Sequence, residues 1–520
     1  MREYEVPDQT IKGITTVMSG MLIQALLGIV PIWGNIVVYM TSYFRVYDQT
    51  ITLQNTFMVF PMTLCMGALS MQLGAIMLDY LHPKIHLAIG GTIFVVAIAL
   101  SSLMTNFYIF LMFYSILSGV GYGIIYILPL KNAWLFFPNK KGMVGGIILA
   151  SHSFAAIGWT FLTTVLMNPN NQMPSLYINV GNSLEVLYAP DSDPARNVPY
   201  AINVVSVILS ILLFFAVILI YKKQTVTFDQ QLAQELLQKG IVHDGGVQYL
   251  APNSAVKRTD SFTSDSNSTF TDSSGFKDDD SFSDNQSNYS GFTDLSHMTL
   301  KESVQDKTFW HIFVMLTLSM SFCYFIKVVF KNFGNLNFSD DAFLTQVAGT
   351  SFLCGASARF AWGTLQDYIG FKRVYGIIVF CLTILAFTIN EISTSRTLYQ
   401  IWIGLTFAME GGHFSIFPAL AANIYGAQLG SKVYSLLFVG TAIASLIGLL
   451  VANIVLPIFG WNVVFIIFAC MNALSLLLLF MFENGGNGNT SRNNIPSKYE
   501  RPLYSQASRS QYSSSRRNHK

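Results

Sequence analysis

The feature that leaves this chain least choice is a set of twelve apolar runs, each of about 20 residues and nearly free of charge. Their approximate limits are 14–42, 54–78, 85–104, 106–130, 143–167 and 200–221, then 308–332, 342–366, 373–390, 397–421, 432–456 and 461–482. A helix of about 20 apolar residues crosses the hydrocarbon core of a bilayer. A helix also satisfies its own backbone polar groups where no water can. The charges agree. Of 58 charged residues, 5 lie in 1–12, 21 in 222–307 and 9 in 483–520, leaving 23 for the other 384, about 6%. Soluble domains carry about 25%. Lipid must therefore surround most of the chain, which excludes a soluble enzyme, a secreted disulfide scaffold and a disordered protein.

The runs fall six and six around a hydrophilic break, so the expected architecture is an all-α membrane protein of two six-helix bundles. The expected divisions are a cytoplasmic N-terminus over 1–13, a first bundle over 14–221, a linker over 222–307, a second bundle over 308–483 and a tail over 484–520. Basic residues in short loops set the orientation. Lys84, Lys131, Lys140, Lys141, Lys372, Arg373 and Lys432 lie on one side, and Arg45, Arg196, Lys331 and Arg396 on the other. This bias puts both termini and the linker in the cytoplasm and leaves the identity of the membrane open. Between 259 and 300 the linker holds eight Asp and one Lys. Such a stretch cannot bury enough apolar area to fold and is expected to be disordered. Hydroxyls beside its Asp residues, such as Thr269 and Ser281, offer sites to kinases, against the plainer reading of a solvated linker. The tail, with seven basic residues and one acidic after Asn484, suits anionic headgroups or is a passive extension. A loop of about 32 residues between the fifth and sixth runs is placed to cap the outer mouth. On the same side, Asn337-Phe338-Ser339 is a glycosylation sequon.

Two motifs recur at matching places. After the second run stands Gly74-Ala-Ile-Met-Leu-Asp79-Tyr-Leu-His-Pro83-Lys84; after the eighth stands Gly363-Thr-Leu-Gln-Asp367-Tyr-Ile-Gly370-Phe-Lys372-Arg373. Each places a small residue near a helix end, then an Asp, then a tight turn with cations. The small residue lets helices approach, and the Asp can pair with a cation or a helix N-terminus to hold an inner gate shut. The second copy closely resembles the inner-loop signature of the major facilitator superfamily. The first departs from it, with His82 where the pattern has Gly. Further stretches narrow the resemblance: Gly119-Val-Gly121-Tyr-Gly123, Phe137-Pro138-Asn139-Lys140-Lys141-Gly142, Leu300-Lys301-Glu302, Phe309-Trp310, Gly411-Gly412 and Pro418-Ala419-Leu420. Together they resemble the oxalate/formate antiporter and monocarboxylate porter branch, over both bundles but neither the linker nor the tail. The resemblance implies a secondary transporter of a small organic anion, working by alternating access as a symporter or antiporter.

Ionisable groups inside the runs are few: Arg359, Glu410, His413, His152 and, nearer an edge, Lys327. Each costs several kcal/mol to bury unpaired, so each is a functional candidate. An Arg suits a carboxylate because its planar fork grips both oxygens. In the resembled family an Arg in span 8 has that role, and Arg359 falls at the matching place. The plainer alternative is a structural pair between Arg359 and Glu410. Two departures bear on the substrate. Gly355 stands where the porters have an Asp, and Phe438-Val439-Gly440-Thr441 stands where oxalate exchangers have a Lys. One cavity cation weakens the case for a dianion. Lys327, one turn from Lys331, is expected to snorkel toward headgroups rather than supply the missing charge. Glu410 and His413 share a helix face and are the candidates for proton coupling, His413 also for substrate binding. His152, Trp33 and Tyr126, with Tyr39 and Tyr122 beside them, are candidates to line the site, against the plainer reading of packing residues.

The expected partners are the bilayer, a small organic anion and kinases at the linker, with no nucleic acid. No cofactor or metal is expected, and no triad, metal cluster or phosphate loop marks an enzyme. Two alternatives stay open: a transporter of another small solute such as a sugar or amino acid, and a non-transporting sensor or scaffold that signals through the linker.

Overall fold

The computed structural model describes residues 7–137, 141–181, 183–223, 299–338, 340–425 and 427–482. Most of the linker with Thr269 and Ser281, the tail, the loop residues Pro138, Asn139 and Lys140, Ser339 of the sequon and the side chain of Asp79 lie outside the described residues.

The chain folds as long helical rods. In the first half, α1 (Pro7–Leu27) and α2 (Trp33–Tyr47) make one bent rod. Between them Pro31 lacks the N–H that a continuing helix needs, and a 3-10 turn, Val30–Ile32, takes up the break. Then come α3 (Val59–Tyr80), α4 (Pro83–Ser101), α5 (Ser118–Tyr126), α6 (Lys141–Met167) and α7 (Val198–Leu219). In the second half come α8 (Lys307–Asn335), α9 (Asp341–Ile369), α10 (Phe371–Ile392), α11 (Arg396–Tyr425), α12 (Ala427–Leu450) and α13 (Leu456–Met481). Among the described residues nine stretches are long and apolar enough to cross a membrane, and one of them, Lys432–Met481, runs through α12 into α13. Helices α9 and α11 are further rods of 29 and 30 residues. Large apolar side chains such as Phe214, Phe387 and Phe480 face outward, as lipid contact requires.

The glycine run of α5 is a packing device. A Cβ at Gly123 would lie 2.1 Å from the carbonyl oxygen of Gly67 on α3, and one at Gly121 would lie 2.5 Å from the Phe94 nitrogen on α4. Only a residue without a side chain lets these three backbones touch.

Two local features differ from the sequence expectation. The end of the segment expected to be disordered contains a helix, Leu300–Gln305, because Thr299 and Glu302 form a reciprocal capping box, and Asp306 then caps α8. The other is the loop after α6, for which the sequence reading named no regular element. It forms an antiparallel hairpin of β1 (Leu176–Val180) and β2 (Ser183–Leu187), turned at Gly181 with φ of +61°. This hairpin marks one end of the molecule; the chain enters and leaves the linker at the other.

The two halves meet along three helix pairs, α2 with α8, α3 with α12 and α6 with α9. At the hairpin end the meeting is polar. Lys331 on α8 and Asp341 on α9 form a buried ion pair at 2.6 Å. The first half closes over it: the Tyr39 hydroxyl and the Asn168 amide (2.9 Å) donate to Asp341. Lys331 in turn donates to the Tyr39 hydroxyl (2.8 Å) and to Asn35 Oδ1 (3.4 Å). Thr164 and Thr345 meet at 3.1 Å across the same seam. The hairpin lies above, with the Tyr188 ring 5.4 Å from that of Tyr39.

Candidate functional site

Below this seal a cavity lies between the halves. The first half contributes Tyr122, His152 and the bend at Val30 and Pro31; the second contributes Tyr324, Lys327, Arg359, Phe407, Glu410 and Phe414, among others. Helix packing puts the two charged rods side by side. A Cβ at Gly411 of α11 would lie 2.5 Å from the carbonyl oxygen of Gly355 on α9, so these backbones are in contact. That contact brings Arg359 and Glu410 into one chamber.

Arg359 does not pair with Glu410. Its Nη1 donates to the main-chain carbonyl of Leu149 on α6, at 2.7 Å, and its guanidinium lies 4.8 Å from the centre of the Phe414 ring. Its Nε has no hydrogen-bond partner among the described residues. Glu410 is instead held by Lys327, which donates to Oε1. The expectation that Lys327 snorkels to headgroups is corrected: it is 4% exposed, faces the cavity and lies 5.2 Å from the centre of the Phe407 ring. Its rod runs on to Asn335, and α2 and the hairpin cover the end that a bare helix would present to lipid. The bland alternative of an Arg359–Glu410 bridge is corrected with it. Lys331, read as a loop cation, is likewise a buried helical residue.

The remaining candidates divide. His152 lines the cavity, buried, with Nδ1 unpartnered among the described residues. His413 does not line it. Nδ1 donates to the carbonyl of Met409 (2.9 Å), Nε2 meets Ser319 (2.8 Å), and the ring stacks on Phe417 inside the second half. Trp33 is also elsewhere, donating to the carbonyl of Thr56 (3.0 Å) and packing on Tyr114. Tyr126 stands beside the chamber, 5.3 Å from the Phe438 ring, and lines a separate space toward the linker end together with Leu149 and Tyr434. Sequence reasoning missed Tyr324, a buried tyrosine that lines the cavity. Only its position on α8, three residues before Lys327, hinted at it.

The repeated motifs sit at the linker end. A Cβ at Gly74 would come within 2.4 Å of the Ile124 carbonyl oxygen, and Lys84 lies over the ring of Tyr221. Gly363 faces Ser415, Asp367 and Arg373 are exposed, and Gly370 turns the chain with φ of +83°. Lys372 donates to the Phe482 carbonyl at 2.9 Å, tying α10 to the end of α13.

Comparison with known proteins fits this architecture. The pattern described as Major Facilitator Superfamily matches residues 308–511. The chain is 22% identical over 482 residues to apicoplast pyruvate carrier 1 of Toxoplasma gondii, covering 84% of this chain and 82% of that one. It is 24% identical over 127 residues to the oxalate:formate antiporter of Oxalobacter formigenes, covering 24% of this chain and 30% of the relative. The fold matches the crystal structure of the nucleoside transporter NupG with a TM-score of 0.56 at 12% identity, over 91% of this chain and all of that one. The protein is therefore a multi-pass membrane transporter and not an enzyme: its second half matches the Major Facilitator Superfamily pattern, and the chain as a whole resembles the oxalate/formate antiporter and monocarboxylate porter branch.

Proposed function

We propose that the protein carries a small monocarboxylate, of the size of pyruvate, through the cavity by alternating access, with Arg359 as the carboxylate anchor. The observation that carries this reading is the charge of the chamber. Lys327 and Glu410 cancel, Arg359 holds only a neutral carbonyl, and one positive charge is left for a ligand. A monoanion balances that charge, whereas a dianion overshoots it. The Tyr324 hydroxyl and His152 Nδ1, both at the cavity wall, are the groups that would meet one more ligand oxygen beside the carboxylate. The names of the pyruvate carrier and the oxalate:formate antiporter support the same substrate class.

Proton coupling follows from the pair. When Glu410 takes a proton, Lys327 is released, the chamber gains a second free cation and anion affinity rises. By reciprocity the bound anion raises proton affinity. In this reading the linker end faces the cytoplasm, and the placement of Lys84, Lys131, Lys372 and Arg373 supports that orientation.

The test is uptake of labelled pyruvate, acetate, oxalate and a nucleoside into proteoliposomes. Pyruvate is expected to enter, and Arg359→Lys to cut its uptake about tenfold or more through loss of the forked contact. Uptake of the nucleoside alone, or undiminished pyruvate uptake by the variant, would remove Arg359 as the anchor.

A further inference from the structure

Helix α8 presents two buried lysines to the interior, Lys327 and Lys331, one turn apart and each held by a carboxylate of the second half. Lys327 belongs to the cavity. Lys331 lies about 6 Å further along the helix, inside the seal at the hairpin end. Its partners come from both halves. Asp341 is on α9 of its own half, whereas the Tyr39 hydroxyl and Asn35 Oδ1 are on α2 of the other. An ammonium has three N–H donors. In the closed state all three have acceptors. Alternating access requires the halves to part at this end. Parting removes Tyr39 and Asn35 together and leaves Lys331 with Asp341 alone.

We propose that Lys331 is a second, transient binding site for the substrate carboxylate, present only while the hairpin end is open. It rests on the monoanion reading above. Two freed N–H groups on a cation, at the head of a passage leading to Lys327 and Arg359, are a fitting first contact for a carboxylate. Asp341 limits its strength by competing for the same ammonium. When the halves close, Tyr39 and Asn35 retake both donors, and the anion is displaced toward Arg359. The site is therefore erased by the movement that traps the substrate. Asp341 contributes a second restraint: closure brings it two first-half donors, Tyr39 and Asn168, so it competes less for a proton or cation from solution.

The experiment compares the two directions of transport. Purified full-length protein is reconstituted, and pyruvate kinetics are measured with substrate added at the hairpin face and at the linker face. Lys331→Gln is expected to raise KM at the hairpin face about tenfold, the size of one lost charged hydrogen bond, and to leave KM at the linker face unchanged. Lys331→Arg is expected to restore it. Asp341→Asn removes the competing charge and is expected to lower KM at the hairpin face; this variant decides the matter where Lys331→Gln does not fold. Unchanged KM at the hairpin face in both variants, or a fall in maximal rate equal in both directions, overturns the site and leaves Arg359 as the sole anion anchor. Wild-type protein that carries no carboxylate at all overturns the monocarboxylate reading itself and this site with it.

Discussion

A carboxylate and an ammonium taken out of water lose hydration that their attraction barely offsets, and removing one of them strands the other. Glu410 and Lys327 are in that position, so any change at either is read through both. Glu410→Gln keeps an acceptor for Lys327 and removes the site of protonation. An inward proton gradient is expected to accelerate pyruvate uptake by the wild type and to leave the variant unaffected, measured in vesicles with and without the gradient. A gradient response that survives in the variant would place coupling elsewhere. Arg359 was legible as a functional residue because an Arg inside an apolar run is too costly to keep without a ligand or a partner. Its partner was not. Choosing between Arg359 and Lys327 for Glu410 depends on the rotation of three helices, α8, α9 and α11, and composition carries no rotation. His413 failed for a related reason. Sharing a face with Glu410 over one turn still allowed its ring to point at Ser319, away from the chamber.

The rods themselves announce their presence, since an apolar run of that length has one structural solution in lipid. The hairpin did not. Residues of β2 are buried nearly throughout, so the strand lacks the alternation that marks a half-buried strand in sequence. What covers them, α2, α8 and α13, lies far away in the chain. Within this hairpin Glu185 is buried, and its carboxylate accepts from the Leu53 N–H at 2.9 Å. Burial pushes Glu185 up to about 7, while the Leu53 and Gln54 N–H groups and Arg45 pull against that rise. A docked hairpin thus holds a proton that a free one, with an ordinary carboxylate, releases. Docking is strengthened by this group in acid and loses that contribution as pH rises from about 4.5 through about 7. Hydrogen exchange at 176–187 is expected to be slowest near pH 5 and to quicken toward pH 8 beyond the intrinsic rate. Glu185→Gln is expected to flatten that profile, and a wild-type profile already flat would exclude Glu185 as its source.

At the scale of the whole molecule the question is which end stands closed. The repeated motifs signalled two related halves, but a sequence describes every state of an alternating carrier at once. The structure is shut at the hairpin end, where α2 and α8 meet so closely that a Cβ at Gly34 would fall 1.8 Å from the Lys327 carbonyl oxygen. Gly34→Ala is therefore expected to penalise this state and shift the population toward opening at that end. A cysteine at Thr164, inside the seam, reports it: an impermeant maleimide is expected to label Thr164→Cys several-fold faster with Gly34→Ala than without. Equal rates would mean that the two helices are not the closing surface. The bond from Arg359 to Leu149 spans the same two halves, yet its acceptor is a peptide carbonyl. Nearly any residue at position 149 would supply that oxygen, so drift there leaves the tether intact and no pair of positions need change together. Among descendants of this chain the arginine will look solitary, although it holds one half of the carrier to the other.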